Sequence, residues 1–393
     1  MKHLYDPTSQ PAIAKPDLFR SFWIAGYESS THINPQGNRL DMIAGTQHDV
    51  RAAEDYRILA DFGIRTARDA TRWHLIDRGA GQYDFSSFAP MLAGALDAGV
   101  QVIWDLCHYG WPDGVDLLSP GFIERFGKYC AAVARFVREQ TGEVPFYSPM
   151  NEMNFMVWGI SEGLLHPFIK GRDAEIKQQL VRAAIAACEA VWAVDSRARF
   201  TYPEPIIHVL PPRSRPDLAP AAEQYRRSQF EAWDMLAGYA APELGGHPKY
   251  LDILGANFYH SNQWEIEGTG RLRWEDEPRD DRWRPLHQML AEVWTRYRRP
   301  LYIAETSHFG AGRARWICEI GDEVCKAWKA ETPLAGVCLY PIIDRYDWLD
   351  SNHWHNSGLW DLVRDRDQGL KRVANPEYAE ALIDTQSRLE RCF

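Results

Sequence analysis

The sequence predicts an α/β fold, a single (β/α)8 (TIM-type) barrel occupying residues 1–393. Three observations carry this. Eight short β-rich runs alternate with amphipathic helical stretches across the whole chain, the order expected of βα units around a parallel sheet. A length of 393 residues holds one large barrel-type domain or two ordinary ones, and no linker or internal repeat divides it. No Gly-x-Gly-x-x-Gly follows the first strand, as a doubly wound dinucleotide-binding sheet would require.

The first predicted strand, 21–27, reads Ser-Phe-Trp-Ile-Ala-Gly-Tyr, and a helical pattern follows over 48–62. The second strand is 64–68 and the third 100–106, Val-Gln-Val-Ile-Trp-Asp-Leu, with a helix predicted over 122–140. The fourth is 145–150, and the helix after it, 173–194, places Ile176, Leu180, Ala184, Ala187 and Val191 on one face at three- and four-residue steps. The remaining strands are 198–203, 252–258, 300–304 and 335–341. The stretches 203–220 and 265–285, rich in Pro, Arg and charge, read as long loops over the catalytic face.

Composition narrows the partners. The formal charge is −10 and the basic residues are scattered, which leaves no electrostatic footprint for nucleic acid or an anionic membrane and favours a small-molecule ligand. Sixteen Trp exceed what a core requires, and flat aromatic faces lining a sugar site are one use for them. The plain alternative is that most pack between helices and barrel. Seven cysteines, Cys107, Cys130, Cys188, Cys318, Cys325, Cys338 and Cys392, show no Cys-x-x-Cys spacing and read mostly as small core residues of a reducing compartment. The N-terminus has no apolar leader-like run and no stretch of about 18 apolar residues occurs, so a cytoplasmic location is expected. No cofactor motif is present, and the sequence carries no signature of oligomeric state.

Barrel active sites lie at the C-terminal ends of the strands. The residues there are Glu28 and His32, Arg68, His108, Asn151 and Glu152, Glu204, Asn257 and Tyr259, Glu305, and finally Asp344, Asp347 and Trp348. So many charged and polar groups cannot all be core, because burying unpaired charge is costly. Glu152 and Glu305, ending strands 4 and 7, lie across the barrel mouth from each other. Two such carboxyl groups are the minimum equipment for cleaving a glycosidic bond, and a retaining mechanism asks for roughly 5–5.5 Å between them. His353-x-His355 and the group His32, His48 and His108 raise a metal reading, but no His-Glu-x-x-His or comparable spacing occurs, so no metal is expected.

These residues resemble glycoside hydrolase family 1, the β-glucosidase family. The segment Arg68-Asp-Ala-Thr-Arg-Trp73 is similar to its strand-2 pattern, Leu106-Cys-His108-Tyr-Gly-Trp-Pro112 to its strand-3 His signature, and Met150-Asn151-Glu152 to its acid/base motif. Asp252 to Tyr259 resembles the strand-6 segment with its active-site tyrosine, Ile303-Ala-Glu305 the strand-7 nucleophile, and Gly336 to Trp348 the strand-8 segment. The resemblance implies retaining hydrolysis of a β-glycoside, with Glu305 as nucleophile, Glu152 as acid/base, Arg68 and Tyr259 beside Glu305, and Asn151 on the 2-hydroxyl. It also implies that His32, His108, Asn257, Tyr340, Asp347 and Trp348 bind the sugar. Glu204 and Glu28, alternative carboxylates at strand ends, are assigned supporting or aglycone roles from their position. The departures fall in the sugar clamp. His32 stands for the family's Gln, Tyr340 and Asp347 for its strand-8 Trp and Glu, and the Leu349-Asp-Ser-Asn-His-Trp loop lacks the Lys of phosphate-selective members. A catalytically weak sugar-binding or sensing barrel and a transglycosidase are the alternatives.

Overall fold

A computed structural model of the chain describes residues 17–268, 270–367 and 369–392. All eight predicted strands are present, their ends displaced by no more than two residues: β1 (Trp23–Gly26), β2 (Thr66–Ala70), β3 (Gln101–Asp105), β4 (Phe146–Ser148), β5 (Arg199–Pro205), β6 (Ile253–Asn257), β7 (Leu301–Thr306) and β8 (Leu334–Leu339). Each pairs in parallel with its neighbours in chain order, and β8 pairs with β1, so the sheet closes into a barrel. Closure leaves the barrel itself without a free sheet edge. No helix among the described residues is long and apolar enough to cross a membrane.

The barrel interior is divided along its axis. Its apolar part is a cluster including Ile24, Ile103, Phe146, Ile253, Tyr302 and Cys338, joined by Phe19 from the segment before β1, whose ring lies 5.2 Å from that of Tyr302. Charged side chains such as Arg68, Asp105 and Glu305 project from the C-terminal half of the strands. Outside the barrel the larger core lies between strands and helices. The helix Pro120–Gln140 starts with Pro in its first turn, where the missing N–H costs nothing, and buries Phe122, Phe126, Cys130, Val133 and Val137 at helical spacing. It packs on Asp173–Trp192, which buries Ile176, Leu180, Ala184, Ala187 and Val191 as the periodicity predicts.

Three features depart from the sequence reading. The two long loops are partly ordered, for His208–Leu210 and Gln263–Glu265 pair as a two-stranded parallel sheet beside the barrel mouth. Cys325 and Cys392 form a disulfide, whereas the cysteines read, from the sequence, mostly as small core residues of a reducing compartment. A hairpin, Trp360–Asp365 with Gly369–Ala374, follows the barrel, and its Arg372 is held against the helix His48–Ile58 by two bonds to Asp55, at 2.6 and 2.7 Å. His48 bridges Asp55 (2.7 Å) and Asp69 (2.8 Å) in a fully buried cluster. Burial alone would depress its pKa, but the two carboxylates outweigh it and raise His48 to about 9.

Candidate active site

Arg68 is the hub. It extends from the middle of β2 into the barrel and is completely buried. Its Nε and Nη2 donate to the two oxygens of Asp105 (3.0 and 2.8 Å), Nη1 donates to Glu305 Oε1 (2.7 Å), and Nη2 also donates to Asn151 Oδ1 (2.6 Å). A guanidinium fork with fixed planar donors can hold three partners at set angles, which a flexible ammonium cannot. Glu305 reaches this hub because β7 shifts register against β6 between Ile303 and Glu305, bringing Glu305 opposite Asn257. Such an irregularity re-aims a strand-end side chain. Its second oxygen, Oε2, accepts from the Tyr259 hydroxyl at 2.7 Å.

Asn151 orders the next layer. Its amide N–H donates to His108 Nε2 (3.1 Å) and to the Tyr109 hydroxyl (2.9 Å). His108 Nδ1 lies 2.9 Å from Asp105 Oδ2, an acceptor only, so the proton sits on Nδ1 and Nε2 is free to accept. Asp105 thus fixes both the Arg68 fork and the His108 tautomer.

Glu152 sits at the junction of β4 and the helix Met153–Ser161 with φ 46°, in the left-handed region that non-glycine residues seldom occupy. Its backbone N–H is held by the Pro203 carbonyl at 3.0 Å. Its carboxyl accepts from Asn257 Nδ2 (2.8 Å) on one oxygen and from the Tyr109 hydroxyl on the other. Burial, and then the charge of Glu305, push its pKa up to about 8, against the two hydrogen bonds that favour ionisation. Glu204, at the end of β5, is also raised to about 8 by burial, but it is not part of the cavity wall, and one oxygen accepts from the Asn154 backbone N–H at 3.0 Å.

Above this network opens a cavity of about 430 Å³. Glu28, His108, Tyr340, Arg345 and Trp348 line its inner end with Glu152, Tyr259 and Glu305. At Phe155, Pro205, Asn262 and Arg271 it joins a second chamber of about 400 Å³, walled by Trp158, Tyr225 and Trp264. The result is one cleft with a polar floor and an aromatic outer end.

Of the residues singled out in the sequence, Glu152, Glu305, Tyr259, His108, Tyr340 and Trp348 meet on the cavity wall, while Arg68, Asn151 and Asn257 stand directly behind it. Two sugar-binding assignments are displaced. His32 packs edge-on against Trp348 (4.7 Å between centroids) and lines a neighbouring cavity, with neither ring nitrogen partnered among the described residues and its pKa lowered by burial to about 3. Asp347 turns away to His355 Nε2 (3.0 Å) and the Leu349 N–H (2.7 Å). The cause is local pairing, since Tyr346 bridges Trp354 and the Asp347 N–H donates to the His353 carbonyl, folding 345–355 back on itself. Glu28 supplies the carboxylate on the cavity wall instead. Burial would raise its pKa, but Arg345, 3.4 Å away, His108 and the Ser30 hydrogen bonds hold it below the ordinary carboxylate range. Sequence reasoning missed Asp105 and Tyr109. Asp105 ends an apolar run as Glu152 and Glu305 do, which was the available signal.

No family model and no curated protein matches the chain. Solved structures do. A hyperthermophilic β-glucosidase mutant superposes with a TM-score of 0.73 at 16% identity, covering 94% of this chain and 100% of its own. A β-glycosidase from Pyrococcus horikoshii gives 0.72 at 17% identity over 94% and 95% of the two chains. A family 1 β-glucosidase from Thermotoga maritima gives 0.66 at 14% identity over 87% of each. The chain has the barrel architecture of the β-glycosidases, with a sequence far diverged from theirs.

Proposed function

We propose that the chain is a divergent family 1 glycoside hydrolase that cleaves a small β-glycoside with retention of configuration. The observation that carries this is the unequal setting of the two glutamates. Glu305 is paired with the Arg68 guanidinium and the Tyr259 hydroxyl, both of which stabilise a carboxylate. Glu152 is buried with no ion-pair partner among the described residues and raised to about 8, so it rests protonated at neutral pH. Glu305 attacks the anomeric carbon while the C–O bond to the aglycone breaks and Glu152 gives its proton to the departing oxygen. Water then enters, loses a proton to Glu152, and displaces Glu305. A barrel that only bound or sensed sugars would have no use for a protonated acid opposite a carboxyl held by a guanidinium and a phenol.

The inner end suits a sugar ring, with Glu28 and His108 for hydroxyls and the Trp348 indole for a ring face, its N–H without an acceptor among the described residues. Asn151, behind the wall, fixes the His108 ring and the Tyr109 hydroxyl that face the sugar. The outer chamber, with Phe155, Trp158 and Trp264, suits an apolar or aromatic aglycone. A 2-deoxy-2-fluoro aryl β-glycoside should leave a covalent adduct on Glu305, located by peptide mass. Label on another residue, or an inverted product, would overturn the proposal.

A further inference from the structure

We propose that His260, Glu275 and His308 form a binding site for a first-row divalent metal ion, with zinc as the natural probe, in the wall of the cavity above β6 and β7. The site is separate from the two glutamates and does not depend on the glycosidase reading. Each of the three residues offers one ligand atom, and these atoms all lie within 4.8 Å of one another. The segments that meet there are distant in sequence. His260 follows β6, Glu275 lies on the stretch between 266 and 285, and His308 follows β7.

Hydrogen-bond accounting at His308 calls for a cation. Nδ1 lies 3.0 Å from the Phe309 carbonyl oxygen, which can only accept, so Nδ1 carries a proton. Nε2 lies 3.0 Å from Glu275 Oε1. That histidine–carboxylate contact is satisfied by a positive species between the two atoms, a ring proton or a metal ion. A bridging metal satisfies both atoms, and a ligating histidine that donates its other N–H to a backbone carbonyl is the usual supporting geometry. The ring is fixed in place by close packing, because a Cβ at Gly312 would stand 2.2 Å from His308 Nδ1, and Trp274 lies 4.9 Å away.

His260 completes the set. Its ring centroid is 4.5 Å from that of His308, and its Nδ1 is buried with no partner among the described residues. Ligands at zinc distances around one ion stand roughly 3.3 Å apart, so rotation of one ring closes the triangle. Two imidazoles and a carboxylate on one side of an ion leave its remaining positions open, and His260 and His308 both line the cleft. The metal would therefore face the same cavity that Glu152 and Glu305 line.

The test uses the whole chain, stripped with a chelator and dialysed. Isothermal titration with Zn²⁺ should give one equivalent bound, and Co²⁺ should give visible d–d absorption that Zn²⁺ displaces. His308→Ala, His260→Ala and Glu275→Gln should each weaken binding at least about tenfold, with far-UV circular dichroism confirming the fold of each variant. His353→Ala with His355→Ala should bind as the wild type does. No metal uptake by the wild type would overturn the site and leave a proton as the cation at His308. Unchanged affinity in all three variants, or loss of binding in the His353/His355 variant alone, would place the metal elsewhere and equally overturn it.

Discussion

Arg68 and Glu305, 237 residues apart in the chain, are joined by a 2.7 Å ion pair inside the barrel, with Arg68 fully enclosed and Glu305 only 4% exposed. The same guanidinium holds Asp105 and Asn151, so the charge on the proposed nucleophile, the tautomer of His108 and the orientation of Asn151 depend on one side chain. Replacing Arg68 by Met should leave Asp105 and Glu305 buried without their shared cation, a destabilisation of about 3–5 kcal/mol. Activity should fall further than stability explains. In folded Arg68→Met, kcat/KM should drop by about a thousandfold, in line with losing preorganised donors at a charged reacting group. Arg68→Lys should recover stability before activity, because an ammonium supplies the charge and not the fork. Thermal melts and kinetics on both variants check this.

The raised pKa of Glu152 fixes the basic limb of the pH profile. The acid works only while protonated, so kcat/KM should fall as pH rises through about 8. Tyr109 donates a hydrogen bond to that carboxyl and thereby favours its ionised form. Removing the donor in Tyr109→Phe should therefore move the basic limb to higher pH. Movement to lower pH would contradict the assignment of Glu152 as the acid.

The eight strands were legible because a parallel strand buried on both faces must be apolar along its length, and a polar residue at its end marks the mouth of the barrel. Glu152, Glu305 and Arg68 are read that way. Tyr109 was not, because its contact with Glu152 depends on a left-handed backbone (φ 67°) just after β3, which periodicity does not report. Asp347 was assigned by its place in a motif, whereas its direction is set by the pairing of Tyr346 with Trp354. Cys325 and Cys392, 67 residues apart, and the His260, Glu275 and His308 group are brought together by packing of the whole barrel, beyond any local spacing.

The buried cluster around His48 makes stability depend on pH in a definite direction. Its pKa is about 9 in the folded chain against about 6.5 when unfolded, so its contribution is complete below about pH 6.5 and is lost as pH rises through about 9. The loss across that window should be on the order of 3 kcal/mol. Urea melts between these limits should show it, and the slope should flatten in His48→Gln, which cannot titrate. A wild-type slope unchanged by that substitution would assign the pH dependence to other groups.

Glu28 and Asp347 offer a direct comparison of position against motif. Glu28 lies on the cavity wall beside Arg345, whereas Asp347 is turned to His355 and the Leu349 N–H. If the inner end holds the sugar, Glu28→Gln should lower kcat/KM by about ten- to a hundredfold, the scale of one hydrogen bond to a charged group. It should leave Arg345 without its buried partner, so Glu28→Gln with Arg345→Gln should lose less than the sum of the single changes. Asp347→Asn keeps its backbone hydrogen bond at a residue that lines neither chamber of the cleft, and should change kcat/KM by less than about threefold, within the range of surface substitutions. The opposite ranking, with Asp347→Asn the more damaging, would mean that the 345–355 segment reorganises when sugar binds and carries Asp347 into the site.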